Sequence, residues 1–353
     1  MGLDVGDIRI RRVGFRDGTD EELHALHAVE SEVEAERRPD RVPQPVESYI
    51  AFARSLPAMF DDHTWLAESV DGTPVATGAC WSNAAGDPRT MECDVFVRRD
   101  HRRRGIASRL FDLICRETER DERTTLVWST FGSVPAGDAF SRHVGGRVAR
   151  VNRTSEARVG DIDWPLVYRW SAEGVGRARG YRLEMVDGVY PAELRRDAAA
   201  FHHIMQTAPR DDLDTGDVML NEQHIAELDR ALVDAGRERW AILVRDLSGA
   251  CVGGTEVIFE PWEPSAALQQ NTGIDPAHRG LGLAKWAKAT MLERIRSEQP
   301  RVERIRTGNA FSNAAMLAIN DALGFKVIST QTEWQGSVAN LDRTPPNHDD
   351  VAR

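Results

Sequence analysis

The sequence predicts an α/β chain of two consecutive domains, each a mostly antiparallel mixed sheet flanked by helices. Three observations predict it. Arg102-Arg103-Arg104-Gly105-Ile106-Ala107 returns 177 positions later as Arg279-Gly280-Leu281-Gly282-Leu283-Ala284, and both copies read R-x-x-G-x-A. Strand-like and helix-like stretches flank the two copies in the same order. The 353 residues, 41% apolar and 29% charged, suffice for two cores of roughly 150 residues each. The expected division is an N-terminal domain over 1–160, a linker helix within 161–180, a C-terminal domain over 181–335 and a disordered tail over 336–353.

In the first half, residues 8–13 alternate as a strand, and a polar helical stretch covers about 19–36 until Pro39, Pro43 and Pro45 interrupt it. Strands follow over 64–70, 74–81 and 90–98, with Asp71-Gly72 as a hairpin turn. After the first R-x-x-G-x-A, Ile106, Leu110, Leu113 and Ile114 form the stripe of a core-facing helix. A strand over 124–130, a short helix over 136–144 and a strand after Gly145-Gly146 complete the half. The second half repeats the order. It has a strand over 181–186, helices over 191–205 and 221–235, and strands over 240–245, 252–259 and 267–274. The second loop and its helix come next, then a strand over 302–307, a helix over 312–323 and, after Gly324, a strand over 326–330.

Composition excludes several classes. A formal net charge of −11 does not suit a nucleic-acid partner, which calls for a basic face. No apolar run approaches the roughly 18 residues of a membrane span, and the N-terminus has no cationic stretch leading into an apolar one. The expected setting is cytoplasmic, without membrane contact. Cys80, Cys93, Cys115 and Cys251 form no C-x-x-C pair and read as buried free thiols. His202 and His203 are adjacent, which sends their rings to different faces of a helix, so no metal is expected.

A strand–loop–helix junction points bare backbone N–H groups at its ligand, and phosphate suits them. Gly105 and Gly282 permit close approach, while Ala107 and Ala284 keep the next turn slim. One copy alone reads as a plain helix start; two copies in one context point to a phosphate-bearing ligand. On the strand before the first loop, Glu92 and Asp94 are two apart and project from one face. A solvated strand face has the same spacing. The matching strand of the second half, Gln269-Gln270-Asn271-Thr272, lacks a carboxylate, so Glu256 on the neighbouring strand is the candidate there, with an idle edge carboxylate as the alternative.

This order of elements resembles the GCN5-related N-acetyltransferase (GNAT) superfamily, in tandem. The residues that carry the resemblance are the segment from Ile274 through Arg279, Gly280, Leu281 and Gly282 to Ala284, and Asn309-Ala310-Phe311-Ser312-Asn313 followed by Asn320, Leu323, Gly324 and Phe325. The first half keeps the loop but has only Gly137 to Gly146 at the later position. The resemblance implies an acyl-CoA-dependent N-acyltransferase, with acetyl-CoA as donor and a small-molecule primary amine as acceptor, attacking the thioester directly. It implies a monomer or homodimer. The donor would lie against Phe96, Val97, Arg102, Arg103, Arg104, Gly105, Ala107 and Ser108 in the first half. In the second it would lie against Ile274, Arg279, Gly280, Leu281, Gly282, Ala284 and Asn313, with loop amides making most diphosphate contacts. Glu92, Asp94 or Glu256 would take the amine's proton.

Many members of the superfamily set a Tyr on the last helix against the departing thiolate. Counting back from Gly324-Phe325 puts Asn320 at that place, and the same count puts Ser141 there in the first half. Asn donates a hydrogen bond but releases no proton. That departure keeps open a second reading, an acyl-CoA-binding or sensing protein with one or both domains inactive. Lys285 and Lys288 read either as partners of the CoA phosphates or as solvated side chains.

Overall fold

The computed structural model describes residues 3–5, 8–177 and 180–344. The first half of the chain contains β1 (Leu3–Val5), β2 (Ile8–Val13), α1 (Asp20–Arg37), α2 (Val46–Arg54), β3 (Phe60–Ser69), β4 (Pro74–Asn83), β5 (Thr90–Val97), α3 (Ile106–Arg120), β6 (Thr125–Phe131) and α4 (Pro135–His143). The second half contains β7 (Arg147–Arg158), α5 (Trp164–Arg177), β8 (Arg182–Asp187), α6 (Arg195–Met205), α7 (Glu222–Asp234), β9 (Glu238–Arg245), β10 (Cys251–Phe259), β11 (Ala266–Ile274), α8 (Leu283–Glu298), β12 (Arg304–Ala310), α9 (Ala314–Ala322) and β13 (Lys326–Ser337).

Local chemistry sets most of these boundaries. Thr19 caps α1 in a capping box with Glu22, and Asp20, Glu21 and Glu22 complement the helix dipole. Asn221 caps α7 in the same way, with His224 as its partner. Gly72 turns the β3–β4 hairpin at φ +84°. The sequence reading does not include α2, because three prolines precede it. Pro45 stands at its N-cap, where a missing N–H costs nothing.

Two compact units result, and their limits differ from the expected ones. The first comprises Met1–Arg150, Asp212–Gly216 and Gln331–Arg353; the second comprises Val151–Asp211 and Asp217–Thr330. The chain passes to the second unit within β7, re-enters the first over Asp212–Gly216 and returns to it finally within β13. Within the first unit the strand order is β1-β2-β3-β4-β5-β6-β13. Only β5 and β6 are parallel in it. Within the second unit the strand order is β8-β9-β10-β11-β12-β7, with β11 and β12 its parallel pair. Leu110, Phe111, Ile114 and Trp128 lie in the first unit's core, and Trp240, Leu283, Ala287 and Met291 in the second's.

The start of the expected tail is thus structural. Gln331 to Ser337 pair with Phe131 to Thr125 along β6. Trp334, 1% exposed, sits in the first core and donates from Nε1 to Thr130 Oγ1 at 2.7 Å. Val338 and Leu341 are buried behind it. Residues 345–353, which include Pro345 and Pro346, lie outside the described residues. All four cysteines are free thiols, and Cys80, Cys93 and Cys115 are buried. No helix among the described residues is long and apolar enough to cross a membrane.

Because the first unit borrows its last strand from the far end of the chain, Trp334→Ala should lower that unit's stability by about 3–5 kcal/mol. Denaturant unfolding checks this, and a loss under about 1 kcal/mol would show that the strand contributes little to the first core.

Candidate active site

The parallel pair of the first unit holds together only at one end. β5 and β6 pair from Thr90–Thr125 to Cys93–Trp128 and no further, although β5 continues to Val97 and β6 to Phe131. The first R-x-x-G-x-A loop stands at the end of β5. Arg103 at φ +62° and Gly105 at φ +75° turn the chain into α3, whose N-terminus no side chain caps. The first-turn N–H groups are therefore left for a ligand.

The second unit repeats the arrangement. β11 and β12 pair from Ala266–Arg304 to Gln269–Thr307 and then part. Gly280 at φ +82° and Gly282 at φ +80° lead into α8, again uncapped by a side chain. Arg103 occupies the left-handed position that Gly280 fills, at a cost of about 1 kcal/mol.

The motif arginines have one job in both copies. Arg102 Nε donates to Val97 O at 3.0 Å, and Arg279 Nε donates to Ile274 O at 2.9 Å. Each closes its loop back onto the last residue of the preceding strand. Arg102 is also held by Glu36 at 2.9 Å, and Arg279 by Thr207 at 2.5 Å. These head groups shape the loop, and the Arg102 and Arg279 amides donate to Arg99 O and Pro276 O. Arg104 is exposed and donates to Asp100 O. Leu281 is exposed, and Ala284 packs against the second core.

A cavity of about 400 Å³ lies in the first unit at the opening of β5 and β6. Of the residues singled out from the sequence, Asp94, Val97, Arg102, Arg103, Gly105, Ala107, Ser108 and Ser141 line it. Phe96 instead lies buried beneath the Arg37 guanidinium, 4.0 Å from its ring centre. Glu92 and Asp94 share a strand face but not an environment. Glu92 is exposed and outside the cavity lining, whereas Asp94 is half-buried within it; burial raises the pKa of both carboxyls, opposed at Asp94 by Arg37 at 3.8 Å.

Glu30, which the sequence did not single out, lies close enough to Asp94 to feel its charge. It accepts from Tyr49 at 2.9 Å and Thr77 at 3.4 Å, and burial pushes its pKa up to about 7. The signal for it was its place in the apolar stripe of Leu23, Leu26 and Val33.

Ser141 is fully buried with its hydroxyl committed, accepting from Trp128 Nε1 at 2.8 Å and donating to Gly137 O at 2.9 Å.

In the second unit, Glu256 is buried with both oxygens engaged. Oε1 accepts from Tyr190 at 2.7 Å and Oε2 from Asn271 at 3.0 Å. An irregularity in the β10–β11 register opposite Glu256 brings Asn271 to it. Counted back from the strand ends Val97 and Ile274, Asn271 takes the place of Asp94. Asn313 is a helix cap, accepting from Met316 N at 3.3 Å.

Asn320, 1% exposed, donates to Asn309 Oδ1 at 2.7 Å and accepts from Lys288 Nζ at 2.5 Å. Lys288 is itself 1% exposed, so it is neither solvated nor free to reach a phosphate. It belongs to the buried stripe of α8 with Met291 and Ile295, and burial lowers its pKa to about 7. Lys285 lies over the Trp170 ring.

Among the described residues, Asp61, His63 and Asp121 bring possible metal ligands together. His63, however, meets the Arg12 guanidinium through Nδ1 and Asp121 through Nε2, the latter at 3.0 Å. With Nδ1 accepting from Arg12, Nε2 carries the proton that Asp121 accepts, which leaves no lone pair for an ion.

Residues 26–140 match the model of the acetyltransferase (GNAT) family. A tandem GNAT protein from the clavulanic acid biosynthesis pathway superposes with a TM-score of 0.73 at 21% identity, covering 94% of this chain and 99% of that one. Residues 26–140 thus match the GNAT family model, and the chain as a whole shares the fold of a tandem GNAT protein. A GCN5-related N-acetyltransferase from Sphaerobacter thermophilus has a TM-score of 0.61 at 12% identity, over 93% of this chain and 96% of that one. One from Kribbella flavida has 0.52 at 15% identity, over 94% and 72%. At these identities the solved structures share the fold, and the family match falls on the unit with the cavity. No curated protein matches the sequence. The family that residues 26–140 match is one of acetyltransferases.

The buried amine makes stability depend on pH. With a folded pKa depressed to about 7, Lys288 has lost its proton in the folded chain at pH values where the unfolded chain still holds one. Wild-type stability therefore rises with pH from about 7 towards the ordinary lysine range. Lys288→Met should be the more stable protein near pH 6 by roughly 1–4 kcal/mol, with the gap closing towards pH 10. Denaturant unfolding at both pH values checks this, and a gap independent of pH would mean that Lys288 keeps an ordinary pKa.

Proposed function

We propose that this protein transfers acetyl from acetyl-CoA to a primary amine of a small molecule, by direct attack of the amine on the thioester in the first unit's cavity. One observation carries the reading: a single cavity joins the loop, Asp94 and Ser141. The diphosphate would lie on the amides at the start of α3, where the helix dipole favours anions. The pantetheine arm would enter between the parted ends of β5 and β6, where strand groups are open to an added chain. Asp94 would accept the proton of the attacking amine. Burial moves its pKa upward, towards the range in which a base is both deprotonated and effective. Ser141 is already engaged on both sides, which leaves solvent to protonate the thiolate.

The binding or sensing alternative draws support from that same committed hydroxyl and from the buried amide of Asn320. A thiol-release assay over amines, aminoglycosides and amino acids separates the two, since tight acetyl-CoA binding without turnover of any acceptor favours sensing. Asp94→Asn should lower kcat/KM by about 10²–10⁴ with acetyl-CoA affinity within about threefold, while Glu92→Gln changes kcat/KM by less than about threefold. Equal losses in both variants would contradict Asp94 as the base. Gly105→Val forces a branched side chain into left-handed backbone. It should weaken acetyl-CoA binding at least about tenfold by calorimetry, and unchanged binding would refute the loop assignment.

A further inference from the structure

Of the 45 lysine and arginine residues, only Lys285, Lys288 and Lys326 are lysine. Arginine keeps its charge, whereas an amine can shed its proton. The fully buried one is Lys288, six residues beyond Gly282. Its Nζ donates to Asn320 Oδ1 at 2.5 Å and stands 5.1 Å over the Phe325 ring. No charged group contributes to its lowered pKa of about 7; burial is the whole cause.

The repeat fixes what this place is. Lys288 falls where the first unit has Phe111, and Asn320 where it has Ser141. Matching the paired positions Met91–Leu126 with Ala267–Ile305 sets Asn309 at the place of Thr130. Phe111, Thr130 and Ser141 all line the first unit's cavity. Lys288, Asn309 and Asn320 therefore stand at the opening of β11 and β12, where a thioester held by the second loop would lie. A side chain meant only to fill this place would be apolar, as Phe111 is. A buried amine with one amide acceptor is a poor filler, but it is a good nucleophile, because desolvation keeps much of it neutral near pH 7.

We propose that Lys288 is a self-acylation site, taking the acyl group from an acyl-CoA held by the second R-x-x-G-x-A loop. The proposal rests on the acyl-CoA reading of these loops. The neutral Nζ attacks the thioester carbonyl carbon; the C–N bond forms, the C–S bond breaks, and the electron pair leaves on sulfur. The nitrogen's proton passes to the thiolate, giving acyl-lysine and free CoA thiol. The product is neutral and keeps one N–H for Asn320 Oδ1, so acylation removes the cost of a buried charge.

Incubating the full chain with acetyl-CoA, mapping acetylated peptides by mass spectrometry and titrating the same preparation by calorimetry tests this. The expected result is at least about tenfold more acetyl on Lys288 than on Lys285 or Lys326, at a rate rising with pH through about 7. It should be lost in Lys288→Arg and in Gly282→Asp, whose carboxylate repels the diphosphate while Asp tolerates left-handed backbone. Acetyl-CoA binding with Lys288 unmodified, or equal labelling of the three lysines, would overturn the self-acylation alone. Absence of acetyl-CoA binding would overturn it together with the loop reading.

Discussion

In each unit two parallel neighbours pair over four positions and then part, β5 from β6 after Cys93–Trp128 and β11 from β12 after Gln269–Thr307. The space that opens there is what the surrounding structure serves. A strand that leaves its partner exposes backbone groups that need another partner, and a helix that starts uncapped beside them adds free N–H donors. The motif arginine fixes the distance between the two by tying the loop to the last strand carbonyl. With Gly105 and Gly282 in left-handed backbone, the chain turns tightly enough to put helix N-terminus and strand opening in one place.

From that common frame the units diverge through a few side chains. The first lines its opening with Phe111, Trp128, Phe131 and Phe140 and sets Asp94 at the edge. The second places Lys288, Asn309 and Asn320 at the corresponding positions and moves its carboxylate to Glu256, on the neighbouring strand and bonded to Tyr190 and Asn271. A Tyr–Glu hydrogen bond recurs in both, Tyr49 to Glu30 and Tyr190 to Glu256. The backbone device is thus duplicated while the proton chemistry around it is not.

What could be read from the sequence was local. The loops, the Thr19 cap, the Asp71-Gly72 turn and the stripe of α3 each follow from residues within a turn or two of one another. The paired placement of Glu92 and Asp94 was equally legible, since strand alternation requires it. Their separation into an exposed and a cavity-lining carboxylate was not, because it depends on where β6 departs. The exchange of β13 into the first unit was hidden for a related reason: alternation marks a strand without naming its partner. Glu30 and Lys288 were legible in principle as charged residues inside apolar stripes. Ser141 illustrates the opposite limit, since its position followed from counting but its bonds to Trp128 and Gly137 depend on packing.

The central claim is that the first unit's loop and Asp94 act on one bound acetyl-CoA. A crystal structure of the chain with acetyl-CoA tests it most directly. The diphosphate should lie on the backbone N–H groups of residues 103–108, with the thioester between the parted ends of β5 and β6 on the side that Asp94 faces. A diphosphate bound away from this loop, or a thioester that Asp94 cannot reach even through one water, would contradict the account.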